Sequence, residues 1–241
     1  MQLGTYALFS VSLYFFTRLF LQPLLIDTHL SNANSTLWVV AHPDDESFFF
    51  APTILAMGSS RHLVSLSIGN YDGLGSIREG ELLAACGALG IKEDNCIGLS
   101  HPELQDDPDQ NWNPKLIREL TTKYVKQWDI DTIITFDEYG VSNHANHIAV
   151  GEALSIPLLP DVPIYQVRTS TLIEKYASLL SFPYTLIRHV FVNESLFLNN
   201  YAQWKSTQFA FSQHESQARW FRTLFVSFSR YLWFVEISKV Q

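Results

Sequence analysis

Basic residues are scarce in this chain. Lys and Arg number 16 against 24 Asp and Glu, giving a formal net charge of −8 at pH 7. A nucleic-acid binder would normally carry a basic patch, so the balance argues against that class. Cysteine is scarcer still: Cys86 and Cys96 are the two in 241 residues. Each sits in an apolar segment and reads as a small core residue. No disulfide framework is expected, which agrees with a reducing compartment. Internal repeats and low-complexity tracts are missing as well. What is left is a chain of 241 residues, long enough for one α/β domain with a substantial core.

Long apolar runs are nearly lacking. The exception is Tyr6 to Ile26, mostly Leu, Phe, Tyr and Val, interrupted by Arg18, Gln22 and Pro23. About 20 apolar residues span a bilayer, so this segment is a marginal span. A cleavable signal peptide would need a positive n-region, and none precedes the segment, although Ser31 and Ala33 are small residues of the kind a cleavage site uses. An ordinary amphipathic helix is the remaining alternative. The reading adopted is a membrane anchor over residues 1–30, a polar linker over 31–36 and a folded domain over 37–241. Arg18, toward the C-terminal end of the apolar segment, puts the domain on the cytosolic side by the positive-inside rule.

The chemistry gathers in two blocks. Leu37-Trp38-Val39-Val40 reads as a buried strand and runs into Ala41-His42-Pro43-Asp44-Asp45-Glu46. Pro43 cannot donate to a ladder, so the strand stops at His42. His42 and Asp45 are spaced so that a tight turn aims both at one point, and imidazole with carboxylate suits Zn²⁺ or another divalent cation. Asp44 between them need not bind the metal. The second block follows the strand Asp131 to Asp137. Ser142 or Asn143 is expected to cap a helix opening near His144, which sets His144 and His147 on one face. Both blocks leave the C-terminal end of a strand, the edge where ligands collect in open α/β sheets.

Between them, Ser47 to Met57 reads as a helix, with Phe48 to Phe50 as core. His62 to Ile68 reads as a strand. The glycine-rich stretch Gly69 to Gly75 lacks a following Walker lysine, so nucleotide binding is rejected. A helix from Ser76 begins with Arg78 and Glu81 one turn apart, either a surface ion pair or, for Arg78, a bidentate donor at the rim of the pocket. Cys96 to Leu99 is a short strand, and His101 to Pro108 a loop, with His101 a bystander. A helix runs from Pro114 to Trp128. Later come strand-like Pro163 to Arg168, a helix from Thr171 to Leu180, strand-like Ile187 to Val192, and a last helix from Phe197. Near the C-terminus Phe221, Leu224, Phe225, Phe228 and Leu232 share a helical face, while Arg219, Arg222 and Arg230 break any long apolar run. That stretch packs on the sheet or lies along a membrane surface.

A strand ending in AHPDDE, a glycine-rich stretch followed by R-x-x-E, and a late GVSNHANHIA together resemble the N-acetylglucosaminylphosphatidylinositol de-N-acetylases, the PIG-L branch of the LmbE-like deacetylases. The late HESQARWFR block points to the same branch. The resemblance runs from Leu37 to Tyr231. It implies a three-layer, Rossmann-like, mostly parallel sheet with helices on both faces. It also implies hydrolysis of the acetamide of a glycolipid in GPI-anchor biosynthesis, at the endoplasmic reticulum membrane with the site facing the cytosol. By the same resemblance His42, Asp45 and His147 hold Zn²⁺, Asp44 is the general base and His144 stabilises the oxyanion. Arg78, and Asp106 in the acidic turn before Trp112, contact the substrate. Two positions depart from the pattern: Asn143 stands where the branch usually has Gly, and Asn146 where bacterial sugar deacetylases tend to have Asp. A deacetylase of a soluble N-acetylglucosaminyl conjugate and a non-catalytic glycolipid-binding membrane protein are the alternatives.

Overall fold

The structure of the protein, a computed structural model, describes residues 3–107, 110–218 and 220–240. The chain begins with α1 (Leu3–Phe20) and α2 (Thr28–Asn32), then β1 (Ser35–Val40) and a π-turn over Glu46–Phe50 that leads into α3 (Ala51–Ala56). β2 (Ser60–Ser65), α4 (Gly75–Ala88), β3 (Cys96–Gly98), α5 (Pro114–Gln127), β4 (Thr132–Phe136), α6 (Gly140–Asn143) and α7 (Ala145–Ala153) follow. The second half holds β5 (Ile164–Val167), α8 (Leu172–Tyr176), α9 (Phe182–His189), β6 (Ser195–Leu198), α10 (Tyr201–Ser212), α11 (Trp220–Phe228) and β7 (Phe234–Lys239).

One sheet collects the strands in the order β3-β2-β1-β4-β5-β7-β6. β1 to β5 are parallel, and β7 runs antiparallel to both β5 and β6. β1 is central, and Leu37, Trp38, Val39 and Val40 are fully buried, as expected of a strand covered on both faces. From β1 the chain steps outward through β2 to β3, then returns to β4 on the other side of β1. Right-handed crossovers therefore put α3 and α4 on one face and α5 and α7 on the other. The C-terminal ends of β1 and β4 flank the topological switch point where such sheets bind ligands.

Several expectations are corrected. Ile187 lies in α9, not in a strand: Pro183 opens that helix, which buries Phe182, Pro183 and Thr185. A short apolar run has no period long enough to tell the two apart. Phe197 belongs to β6, and the helix that follows starts later, after an Asn200–Gln203 capping box. α11 ends at Phe228, so Leu232, in a separate 3-10 turn capped by Ser229, does not extend its face. The C-terminal aromatics then enter β7, a strand that carries no turn signal of its own. Cys86 on α4 and Cys96 on β3 form a disulfide. Antiparallel return of α4 onto β3 brings them together, which their apolar surroundings did not reveal. Pro108, Arg219 and the side chain of Phe221 lie outside the described residues.

The N-terminal segment packs on the domain. The Tyr14 hydroxyl reaches the carbonyl oxygens of Asn199 and Trp233, both at 2.7 Å, and Ser10, Tyr14 and Thr17 are buried. Gln22 caps β6 by donating to Leu196 O (3.0 Å) and accepting from Leu198 N (3.1 Å). Ser35 and Thr36, read as linker, already pair in β1. The outer face of α1 exposes Leu8, Phe9, Phe16, Leu19 and Phe20, and the helix is long and apolar enough to cross a membrane.

Candidate active site

The first block folds back on itself. Past the end of β1, the Asp45 carboxylate accepts from the backbone N–H groups of Ala41 (3.1 Å) and His42 (2.9 Å). Asp44 takes the buried corner of this turn with φ at +110°, a region costly for a residue with a side chain. Its N–H donates to Glu46 Oε2 (2.9 Å), and Glu46 is held in turn by Ser47 Oγ (2.6 Å) and His214 Nε2 (2.7 Å). Glu46 and His214 are both fully buried.

The second block comes off β4. Val141 and Asn143 have φ near +60°, and this kink separates α6 from α7. The cap of α7 is His144 itself, whose Nδ1 accepts from Asn146 N at 3.3 Å. The cap was expected at Ser142 or Asn143; the kink moves it. His147 Nδ1 donates to Gly140 O (3.0 Å), which leaves the Nε2 lone pair directed inward. His42 Nε2 sits 3.1 Å from Asp106 Oδ1, so a proton shared there leaves Nδ1 unprotonated.

These choices make a small triangle. His42 Nδ1 and His147 Nε2 are 3.2 Å apart, and the Asp45 carboxylate is 3.2 Å from His147 Nε2 and 3.8 Å from His42 Nδ1. Ligand atoms about 2.0–2.1 Å from one tetrahedral cation stand roughly 3.3 Å apart, so the donor set fits a divalent metal. His144 completes a wider cluster: the donor atoms of His42, His144 and His147 all lie within 4.8 Å of one another. Asp45 closes the tighter figure and His144 its flank. Burial alone would raise the Asp45 carboxyl, but His147 and His42 hold it well below the usual carboxylate range. Burial and the neighbouring imidazoles of His42 and His147 push His144 down to about 4, so it is neutral at pH 7 and carries its proton on Nε2.

Arg78 is not paired with Glu81. Glu81 accepts from Ser216 N and Oγ, tying α4 to the His214 segment. The Arg78 guanidinium is buried, donating to Gly69 O (3.1 Å), Pro43 O (2.7 Å) and Asp106 Oδ2 (3.0 Å). Gly69 must be glycine: its φ is +67°, and a Cβ there would stand 2.3 Å from Arg78 Cζ. Asp106 thus bridges Arg78 and His42. Burial opposes its ionisation, yet His42 and Arg78 bring it down to about 2. Trp112 is buried beside it, its indole N–H on Gln105 O and its ring 5.9 Å from that of His42.

All of these residues except the buried supports open on one cavity of about 1190 Å³, which also exposes Phe48, Phe49, Lys175, Arg222 and the aromatic side of α11. That exceeds the roughly 300–1,000 Å³ of an ordinary small-molecule pocket. Phe48 and Phe49, read as core, are both core and cavity wall. Arg222 donates to the Asp44 carboxylate. Sequence reasoning passed over Glu46, His214, Lys175 and Arg222. The HESQARWFR block held the signal for His214 and Arg222, but their partners stand 168 and 178 residues away.

Residues 37–156 match the family model described as GlcNAc-PI de-N-acetylase. An N-acetylglucosaminyl-phosphatidylinositol de-N-acetylase of Bos taurus is 38% identical over 82% of this chain and 80% of its own. A probable enzyme of the same name from Schizosaccharomyces pombe is 36% identical over 82% of this chain and 84% of its own. Among solved structures, N,N'-diacetylchitobiose deacetylase from Pyrococcus horikoshii superposes with a TM-score of 0.60 at 17% identity, over 87% of this chain and 83% of that one. At that identity the likeness is one of fold.

Proposed function

The chain belongs to the family of N-acetylglucosaminyl-phosphatidylinositol de-N-acetylases, and from that premise we propose that its cavity hydrolyses the acetamide of N-acetylglucosaminylphosphatidylinositol. The products are glucosaminylphosphatidylinositol and acetate, an early step of GPI-anchor biosynthesis. The observation that carries the reading is the 3.2 to 3.8 Å triangle of His42, Asp45 and His147 beside an Asp44 that stays out of it. Zn²⁺ or another divalent cation held by those three would acidify water and polarise the acetamide carbonyl.

The chain's own residues do the rest. Asp44 takes the proton of the attacking water and passes it to the leaving amine as general acid. His144, neutral with its proton on Nε2, donates a hydrogen bond to the developing oxyanion. Asp106 holds the His42 tautomer, and Arg78 fixes Pro43, Gly69 and Asp106 around the sugar end. Trp112 backs the His42 ring from behind. The protein works at the endoplasmic reticulum membrane with α1 as its anchor and the cavity on the cytosolic side. Arg18 supports that orientation; the Cys86–Cys96 disulfide lends it nothing.

Metal analysis of the purified protein tests the ligand set. Asp45→Ala and His147→Ala should each emerge with less than about a tenth of wild-type metal, since loss of one ligand in three undoes a site of this type. Full metal occupancy in Asp45→Ala would show that the ligands are others.

A further inference from the structure

The cavity changes chemistry from end to end. Its inner end is the cluster just described. Its outer end is walled by α8 and α11 with Leu172, Tyr176, Trp220, Leu224, Phe225 and Phe228. Phe225 points inward, its ring 4.8 Å from Phe48 and 5.7 Å from Phe49, and so fixes α11 over the turn that carries Asp44. Trp220, Leu224 and Phe228, a turn apart on the adjoining stripe of the helix, are 77%, 47% and 54% exposed. Between the two ends stand two cations. The Arg222 guanidinium lies over the Phe48 ring at 5.6 Å and touches Asp44. Lys175 Nζ donates to Val141 O at 2.6 Å, which uses one of its three N–H groups.

The apolar surface continues past the mouth. α11 packs on α8, α8 on the 3-10 turn Ser178–Ser181, and that turn on α1 and α9. Ile173, Ile187, Phe191, Phe9 and Phe16 on or beside these elements are exposed as well. Apolar faces of this extent, rimmed by a few cations, suit a bilayer interface.

The geometry points to a phospholipid subsite at this mouth: Arg222 and Lys175 take the phosphodiester of a membrane phosphatidylinositol, and α8 and α11 rest in the acyl region of the leaflet that supplies it. The inference rests on the deacetylase reading, which sets the acetamide at the inner end and leaves one anion, the phosphodiester, about one sugar ring further out. On a chain of net charge −8, two cations at the boundary between polar and aromatic walls give the charge complement that this anion needs.

Two measurements test it. First, kcat/KM is compared for N-acetylglucosaminylphosphatidylinositol in phosphatidylcholine vesicles and for water-soluble N-acetylglucosaminyl inositol. Arg222→Gln, Lys175→Gln and the double variant Leu224→Ser/Phe228→Ser should each lose about tenfold more on the lipid-linked substrate than on the soluble one. Because Arg222 also touches Asp44, only this ratio is read; equal loss on both substrates overturns the subsite. Second, calorimetry follows binding of glycerophosphoinositol and of inositol without turnover. Wild type should prefer the phosphodiester, and Arg222→Gln should weaken it about tenfold; equal binding of the two probes overturns the subsite. A protein that binds glycerophosphoinositol through Arg222 but releases no acetate keeps the subsite and defeats the deacetylase reading. One that deacetylates with an unaltered substrate ratio keeps the reading and defeats the subsite.

Discussion

Asp44 is held in a costly backbone conformation by groups from three parts of the chain. Glu46 receives its N–H, Arg222 its carboxylate, and Arg78 stands 3.8 Å away. A turn that keeps a non-glycine residue at φ of +110° has a use for the side chain, because glycine would adopt it without strain. Asp44→Asn retains the shape and an oxygen for Arg222 but cannot take a proton. It should keep its metal and lose kcat by roughly a hundredfold or more, the range of a general base. Near-normal turnover in steady-state kinetics would remove Asp44 from that role. At this scale the sequence was informative wherever partners are close in the chain. The spacings of His42 with Asp45 and of His144 with His147 brought each pair to one point. Asp106, expected on the substrate, is found between His42 and Arg78, a juxtaposition of a turn, a helix and a loop that no local spacing encodes.

At the scale of elements, β7 shows what tertiary pairing adds. Glu236 on β7 is buried and surrounded by Arg168 at the end of β5, Arg188 in α9 and Arg230 in the turn after α11. Burial would raise its carboxyl, but the three arginines, Arg230 foremost, bring it below the ordinary value of 4.5. A carboxyl depressed on folding adds stability that is fully present above its unfolded value and is lost as pH falls through the folded one. Glu236→Gln should therefore destabilise the protein at pH 7 by about 3–5 kcal/mol, the cost of breaking a buried pair. It should also flatten the acid side of the stability curve below pH 4.5. Unfolding monitored by denaturant at several pH values checks both; an unchanged acid slope would mean that the pairing does not form. The parallel half of the sheet was readable because its strands carry an apolar, β-branched stretch followed by a polar turn. The antiparallel half was not. β6 is only four residues long, and β7 carries at its centre a charge, Glu236, whose Arg partners are supplied by other elements. α9 was misread for the related reason that a short apolar run looks the same in either conformation.

For the whole molecule, orientation and activity both leave chemical marks. Two sequons, Asn34-Ser35-Thr36 and Asn193-Glu194-Ser195, lack proline at the middle position and are competent acceptors. Asn34 and Asn193 are both exposed in the fold, so burial would not protect them in a lumen. With the domain in the cytosol neither should carry glycan, and membrane-derived protein should keep its gel mobility after endoglycosidase. A shift abolished by Asn193→Gln would reverse the topology, and would accord with the Cys86–Cys96 disulfide. The central claim is that a metal-bearing cavity at the β1/β4 switch point deacetylates a glycolipid. It is tested most directly by following acetate release from N-acetylglucosaminylphosphatidylinositol by the metal-loaded protein, beside water-soluble N-acetylglucosaminyl inositol and an Asp44→Asn control. The account predicts acetate and glucosaminylphosphatidylinositol in equal amounts, faster than from the soluble conjugate and lost in the control; acetate from the soluble conjugate alone, or from neither, would contradict it.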